Sequence, residues 1–211
     1  MGKLWIRQVK ATRDDGTASI IDLAPGLNCI VGPSNTGKTR IAKTIAFACG
    51  GKDLPFTDKT GYTTAAVTFV TADGEVTLSR STKRGSSIEV ASTDPNVDAG
   101  TYSLNNKSKR PVNNLLISLL GIKPGRHVIT NEAFNKVHFT WRAIEHILLV
   151  PESEIGRPDP SILLPKSSSP QSLTQNLSAL LVLAQDENFD EATSRESASD
   201  RRAKWLLCGN G

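Results

Sequence analysis

The chain of 211 residues has 25 basic and 21 acidic side chains, a net charge of +4, and 38% apolar residues. These values are ordinary for a globular chain that buries a core, and they exclude collagen, coiled coil and disorder as the dominant state. No apolar run reaches the ~20 residues of a membrane span. Arg7 lies where a signal peptide would have its apolar stretch, so no secretion signal is expected. Three cysteines without a CxxC pair favour a reducing, cytoplasmic setting, and three scattered histidines argue against a histidine-based metal site.

Strand patterns dominate the beginning of the chain. Residues 3–31 predict strands separated by turns at 14–16 and 25–26. The apolar run 27–31 is bounded by glycines and is typical of a buried central strand.

A second group of strands is predicted further along the chain. Residues 62–93 alternate apolar and polar side chains and contain turn signals at 72–74 and 84–85. This pattern predicts an antiparallel meander. The polar stretch 94–110 that follows predicts a loop.

Two helices with clear end signals lie beside these strands. Lys38–Cys49 has helical spacing and is followed by the stop signal of Gly50 and Gly51. Its predicted apolar face consists of Ile41, Ile45 and Ala48. Pro111–Leu120 predicts a second helix, with proline in its first turn and Gly121 just past its end.

The C-terminal part gives weaker local signals. Residues 122–139 predict irregular structure, and Thr140 is a candidate cap for a helix over Trp141–Leu149 that Pro151 would stop. The proline- and serine-rich stretch Pro151–Gln171 predicts an ordered loop or a linker. A further helix is expected after a cap at Ser172. Its apolar positions are Leu173, Leu177, Leu180, Leu181 and Ala184.

One motif carries specific chemistry. Residues 32–39 read Gly-Pro-Ser-Asn-Thr-Gly-Lys-Thr, which fits GxxxxGK[ST], and they follow an apolar run and open a helix. Glycines let the backbone curl around an anion, the helix N-terminus adds partial positive charge, and the lysine can reach β- and γ-phosphates. The Thr39 hydroxyl can ligate Mg²⁺. The residues assigned to the nucleotide are Gly32, Pro33, Ser34, Asn35, Thr36, Gly37, Lys38, Thr39 and Arg40. The flanking pattern argues against a mere glycine-rich turn with an exposed lysine.

The order of these elements resembles the N-terminal half of the ATPase head of the SMC, RecF and RecN group of ABC-type ATPases. That group opens with a pattern like L-x-I-x-x-F-R-S, matched here by Leu4, Ile6, Val9, Lys10 and Ala11. Its phosphate loop reads "GLNxIxGxNGxGKS", matched closely by residues 26–32, with Ser34-Asn35 in place of the usual Asn-Gly. The resemblance places Lys10 near the nucleotide, where the family has arginine, and implies ATP and Mg²⁺ as cofactors.

The same resemblance extends more loosely over the rest of the chain. Val67–Arg80 looks like the antiparallel arm of the family, and Glu152 lies roughly where the family has a Q-loop glutamine that touches Mg²⁺. A carboxylate can also hold Mg²⁺, although a solvated loop glutamate is the plain alternative. The expected fold is therefore an α/β P-loop NTPase lobe over residues 1–189, with N-terminal antiparallel strands and a central sheet around the P-loop helix. The charged segment 190–211 is expected to be the root of a coiled-coil arm, with an ordinary surface helix as the alternative.

Hydrolysis needs an acidic residue at the end of an apolar strand, and the sequence offers only two poor candidates. Ile147–Val150 runs into Pro151-Glu152, and Leu180–Leu183 precedes Asp186-Glu187 by two residues. No LSGGQ-like signature is present. In the resembled family these parts lie in a C-terminal lobe beyond the coiled coil, so we expect no catalytic residue in this chain and little or no turnover.

The sequence leaves two further functions open beside the ATP-binding lobe. One is a complete small NTPase or nucleotide kinase that uses Asp186 and Glu187 as its Walker B acids, and the other is an interaction module with a vestigial loop. The resemblance implies as partners a C-terminal lobe of the same protein, a second head engaged upon ATP binding, and DNA, in repair, chromosome maintenance or anti-phage defence. The basic clusters that could contact DNA phosphates, or simply be solvated, are Lys83-Arg84, Lys107 with Lys109-Arg110, and Lys123 with Arg126-His127.

Overall fold

The computed structural model describes residues 4–34, 36–83, 85, 87–131, 133–150, 170–185 and 189. The chain forms two compact units, residues 1–121 and residues 122–211. The predicted boundary between residues 189 and 190 falls at the edge of the described part, and the charged segment 190–211 lies outside it, so both stay predictions.

The first unit is built on a six-stranded antiparallel sheet with the order β2-β1-β3-β4-β5-β6. Its strands are β1 Trp5–Arg13, β2 Ala18–Asp22, β3 Tyr62–Val70, β4 Glu75–Ser81, β5 Ser87–Ser92 and β6 Gly100–Ser103. Helices α1, Lys38–Ala48, and α2, Val112–Leu119, complete the unit together with a short 3-10 turn at Asp58–Thr60. The strands predicted within residues 3–23, the antiparallel meander within 62–93 and both helices are confirmed.

One face of this sheet forms the core. Cross-strand register aligns Val9 with Val67, Val67 with Leu78 and Leu78 with Val90, and all four side chains are buried. Successive strand residues point to opposite faces, so this alignment makes a continuous apolar stripe across four strands. Helix α1 packs against β1, β3 and β4, which places the phosphate-loop helix on the sheet as expected.

In the part of the second unit that the structure describes, the chain forms a two-stranded hairpin and two helices. The hairpin pairs β7, His127–Ile129, with β8, Lys136–His138, and the helices are α3, Arg142–Leu148, and α4, Pro170–Gln185. Helix α4 packs against β7 and α3. The Ile129 amide donates to the Ser178 hydroxyl at 2.9 Å, so a helix side chain satisfies an outward-facing strand amide.

The prediction of a buried central strand at 27–31 is wrong. This segment forms no strand, and the exposed fractions of the Leu27 and Val31 side chains are 97% and 89%. An apolar run becomes a central strand only when neighbours pair with it on both edges, and no described strand does so. The chain is held instead by Asn28, whose amide donates to the Ala24 carbonyl at 2.7 Å and the Gly26 carbonyl at 3.1 Å.

Two stretches predicted to lack regular structure contain strands. Strand β6 lies within 94–110, and the hairpin β7–β8 lies within 122–139. Strands of three or four residues are too short for an alternating pattern to stand out, and cross-strand pairing creates them rather than local preference.

Several helix details also differ from the predictions. Trp141 rather than Thr140 occupies the N-cap position of α3, without a side-chain cap, and α4 begins at Pro170, so that Ser172 lies inside the helix instead of capping it. The buried side chains of α4 include Ser178, Ala179 and Val182, whereas the predicted apolar positions Leu173 and Leu177 are exposed at 36% and 46%. Any hydrophobic helix face can be buried, and tertiary packing chooses which one.

The Walker B alternative is contradicted. Leu180–Leu183 lies within helix α4, whereas the acidic Walker B residue follows a strand. The other candidate run begins inside α3. Asp186 and Glu187 lie outside the described residues.

Candidate nucleotide-binding site

The phosphate loop leads directly into α1 in the first unit. Gly37 is the N-cap of the helix, with φ of 92° in the left-handed region that glycine adopts without strain. A Cβ on Gly32 would stand 3.2 Å from the Thr36 hydroxyl, so the loop also closes tightly at its first glycine. The left-handed backbone therefore explains Gly37, and the close approach of the Thr36 side chain favours a residue without a Cβ at Gly32.

The N-terminus of α1 is arranged to receive an anion. No side chain caps it, and its first turn holds no acidic residue. The first turn leaves backbone amides without helical acceptors, and the helix dipole adds partial positive charge there. Lys38, Thr39 and Arg40, all exposed, stand in this turn.

Lys38 folds back over the loop. Its ammonium donates to the Gly32 carbonyl at 2.7 Å and the Pro33 carbonyl at 2.6 Å, and the Thr36 hydroxyl donates to the same Pro33 carbonyl at 2.8 Å. The lysine is thus held at the mouth of the loop by neutral acceptors. Phosphate oxygens are stronger acceptors for an ammonium, so an incoming polyphosphate can replace these bonds.

The other end of α1 is closed by a glycine motif. The Gly50 amide donates to the Phe47 carbonyl at 3.0 Å and the Gly51 amide to the Ala46 carbonyl at 2.7 Å, with Gly50 at φ of 98°. These are the paired bonds of a Schellman motif. A Cβ on Gly51 would lie 2.6 Å from the Ala46 oxygen, so this second glycine is required as well.

Arg80 is a residue to which the sequence assigns no role at the site. From β4, its guanidinium donates to the Phe47 carbonyl at 2.9 Å and the Gly51 carbonyl at 2.6 Å, and it lies 4.0 Å from the centre of the Phe47 ring. The helix dipole also stabilises a cation at the C-terminus of a helix. Arg80 therefore ties the phosphate-loop helix to the sheet, a link between residues 29 and 33 positions apart that no local pattern reveals.

The remaining predicted site residues are only partly described. Lys10 lies on β1 opposite Ala66, on the sheet face away from the buried Val9 stripe, and its role near the nucleotide stays a prediction. Asn35 and Glu152 lie outside the described residues, so the proposed Mg²⁺ ligation by Glu152 also stays untested.

The basic clusters differ in how available their charges are. Arg110 donates to the carbonyls of Asp98 and Ala99, each at 3.2 Å, and stacks 4.5 Å from the centre of the Tyr102 ring, so it serves the fold. Lys107 and Lys109 are exposed.

The Lys83 ammonium is engaged by a carboxylate. It binds an Asp14 oxygen at 2.8 Å, and this bond lowers the pKa of Asp14. Arg84, its partner in the predicted cluster, lies outside the described residues.

Two of the three histidines are neighbours in space, contrary to the expectation that all are scattered. His127 and His138 face each other across β7–β8, with ring centres 4.5 Å apart. They are eleven positions apart in the chain, and only the hairpin register, which the sequence did not predict, brings them together.

Comparison with protein families agrees with this geometry. A family model described as an AAA domain matches residues 4–199. The chain belongs to this SMC/RecF-like family of AAA ATPase domains. Members of this P-loop ATPase family generally bind ATP with Mg²⁺. No curated protein matches the chain. Within the described residues, the structure contains no helix of the length and apolar character that crossing a membrane requires.

Proposed function

We propose that this chain is the ATP-binding N-terminal lobe of an SMC-like ATPase head, which pairs with a C-terminal lobe, engages a second head when ATP binds, and acts on DNA in the cytoplasm. The observation that carries the proposal is the phosphate loop at 32–39, built on a left-handed Gly37 and an uncapped α1 N-terminus. Membership of the AAA family supports the nucleotide class.

The residues present fit a magnesium-bound nucleoside triphosphate. Lys38 already spans the loop, its ammonium within reach of acceptors on Gly32 and Pro33, and the exposed Thr39 hydroxyl follows it. In this role Lys38 would hold the β- and γ-phosphates, the α1 amides would bind phosphate oxygens, and Thr39 would ligate the metal. The bound Mg²⁺ would neutralise phosphate charge.

The exposed segment 27–31 supports completion by another lobe. It ends at the first loop glycine, and its side chains Leu27 and Val31 are almost fully exposed. Exposed apolar residues in an extended segment are typical of a strand that pairs with a partner chain or lobe. A C-terminal lobe that supplies neighbouring strands, together with the catalytic carboxylate, would account for both features.

Binding of ATP is the direct test. We expect the purified chain to bind a fluorescent ATP analogue with Mg²⁺, and Lys38→Ala to weaken binding about 10–100-fold through loss of a charge-assisted contact. Lys43→Ala is the matched control, because Lys43 is an exposed lysine on the same helix, and it should leave affinity unchanged. Equal affinity of Lys38→Ala and the original chain would refute the site.

Turnover separates the lobe from a complete enzyme. The chain alone should hydrolyse ATP almost undetectably, and coexpression with a C-terminal lobe should raise the rate. Sustained multiple turnover by the chain alone, or phosphate transfer to a small acceptor, would contradict the proposal.

The DNA-binding part of the proposal is supported by the exposed Lys107 and Lys109. Contacts to phosphates release counterions, so affinity for duplex DNA should fall steeply with salt, and reversing both charges with Lys107→Glu and Lys109→Glu should flatten the slope by about two. A flat salt dependence of the original chain, or no binding at low salt, would remove DNA from the proposal.

A further inference from the structure

His127 and His138 face each other across the β7–β8 hairpin. The Phe139 amide donates to the Arg126 carbonyl at 2.7 Å, which makes this a hydrogen-bonded pair of the antiparallel ladder. Hydrogen-bonded and non-hydrogen-bonded pairs alternate, so the next pair, His127 with His138, is of the non-hydrogen-bonded type. Side chains approach each other most closely at such positions.

We propose that His127 and His138 form a two-nitrogen chelate site for an imidazole-preferring divalent metal ion: Zn²⁺, Ni²⁺ or Cu²⁺. Imidazole nitrogen is a preferred ligand for all three ions. His138 is exposed and His127 is half-buried, so an ion can approach from solvent.

The observed ring arrangement is compatible with one ion bound between the two side chains. A tetrahedral zinc with bonds of about 2.0–2.1 Å needs its two nitrogens about 3.3 Å apart. The ring centres are 4.5 Å apart and the planes are tilted by 33°, so one edge of the pair is closer than the centres. Rotation about the soft terminal torsion of each histidine would turn one nitrogen of each ring toward this closer edge. Water would complete the coordination.

A neighbouring charge limits the affinity. Lys136 lies two residues from His138 on the same strand, and therefore on the same face of the hairpin. Its ammonium repels a divalent cation, and salt screens this repulsion. We therefore expect a site of modest affinity.

The site is independent of the proposed ATPase function, because it uses neither the phosphate loop nor any residue assigned to the nucleotide. It also adds a link between two short strands that pair through only three residues each. A metal that bridges them should stabilise the folded hairpin by mass action.

Zinc titration of single-histidine variants tests the proposal. The protein is used without an affinity tag and with its accessible thiols alkylated in the folded state, because the thiol of the exposed Cys29 would otherwise compete for the ion. Calorimetry with ZnCl₂ should show one ion bound, and His127→Gln and His138→Gln should each weaken binding about tenfold or more, since one imidazole lacks the chelate effect. His146→Gln is the matched control, because His146 is the third histidine of the chain and lies on α3, and it should bind as the original chain does.

Copper spectroscopy gives a second measurement that does not depend on variants. Electron paramagnetic resonance of the original chain with one equivalent of Cu²⁺ should show coupling to two imidazole nitrogens. Coupling to a single nitrogen, absence of zinc binding up to about 1 mM, or unchanged affinity in folded His138→Gln would each overturn the proposal.

Discussion

Removal of the Arg80 guanidinium should destabilise the first unit substantially, because it ties α1 to the sheet. Arg80→Met keeps most of the apolar stem and removes the donors to Phe47 and Gly51, at 2.9 and 2.6 Å, together with the ring contact at 4.0 Å. The Phe47 carbonyl keeps the Gly50 amide as a donor, so the Gly51 carbonyl suffers the larger loss. Loss of charged hydrogen bonds and a partly desolvated cation–π contact together cost about 2–4 kcal/mol.

Urea unfolding followed by circular dichroism measures this cost. With a slope of about 1–3 kcal/mol per molar urea, the midpoint should fall by roughly 1–2 M. Arg7→Met is the matched control, because Arg7 forms an ion pair with Glu75 at 3.1 Å in the same sheet with both side chains well exposed, and it should cost about 0–1 kcal/mol. Hydrogen exchange should show faster opening of residues 38–51 in Arg80→Met.

Two results would refute this reasoning about Arg80. One is a midpoint for Arg80→Met equal to that of Arg7→Met. The other is full recovery in Arg80→Lys, since lysine keeps the charge but lacks the planar guanidinium that lies over the Phe47 ring.

Three further predictions concern the two units of the fold. Gly74→Ala should lower the free energy of unfolding by about 2–4 kcal/mol, because its Cβ would stand 2.6 Å from the Asp94 amide nitrogen. The control Gly85→Ala, whose Cβ would have its nearest neighbour at 3.9 Å, should cost less than about 1 kcal/mol in the same urea titration. Equal costs for the two variants would contradict the clash at Gly74. Hydrogen bonds from the Thr71 hydroxyl and the Asn96 amide lower the pKa of Asp94 below its usual 3.8. The ionised carboxylate therefore contributes fully to the free energy of unfolding above the unfolded-state pKa, and this contribution is lost as the pH falls through the folded-state pKa. The stability difference between the original chain and Asp94→Asn should therefore shrink between about pH 5 and pH 2, and a constant difference would show that Asp94 acts otherwise. Ser178→Ala should cost about 1–2 kcal/mol and speed hydrogen exchange of the Ile129 amide, whereas unchanged exchange would mean that this bond adds no protection.

Local chemistry explains why much of the candidate site was predictable. The phosphate loop is defined by consecutive residues whose glycines, lysine and helix start act within a few bonds of one another. The same holds for the end of α1, where Gly50 and Gly51 form the stop by themselves. Strands β3, β4 and β5 were predicted because their alternation of apolar and polar residues is long enough to be recognised and because turn residues separate them.

The sequence predictions that the structure contradicts share a different cause. Residues 27–31 have the composition of a central strand, but pairing partners decide whether a strand forms, and the described chain supplies none. The strands β6, β7 and β8 have three or four residues each, too few for a periodic signal. For α4, several faces are apolar, and packing against β7 and α3 selected the face that contains Ser178.

The sequence by itself determined the chemistry that depends on neighbours along the chain: the anion-binding loop, the start and stop of α1, and the antiparallel meander. Only the tertiary structure decided which distant groups meet, such as Arg80 with the end of α1 and His127 with His138. The physical reason is that a turn or cap is fixed by backbone preferences within a few residues, whereas cross-strand register and helix packing follow from burying the apolar stripe of the whole sheet.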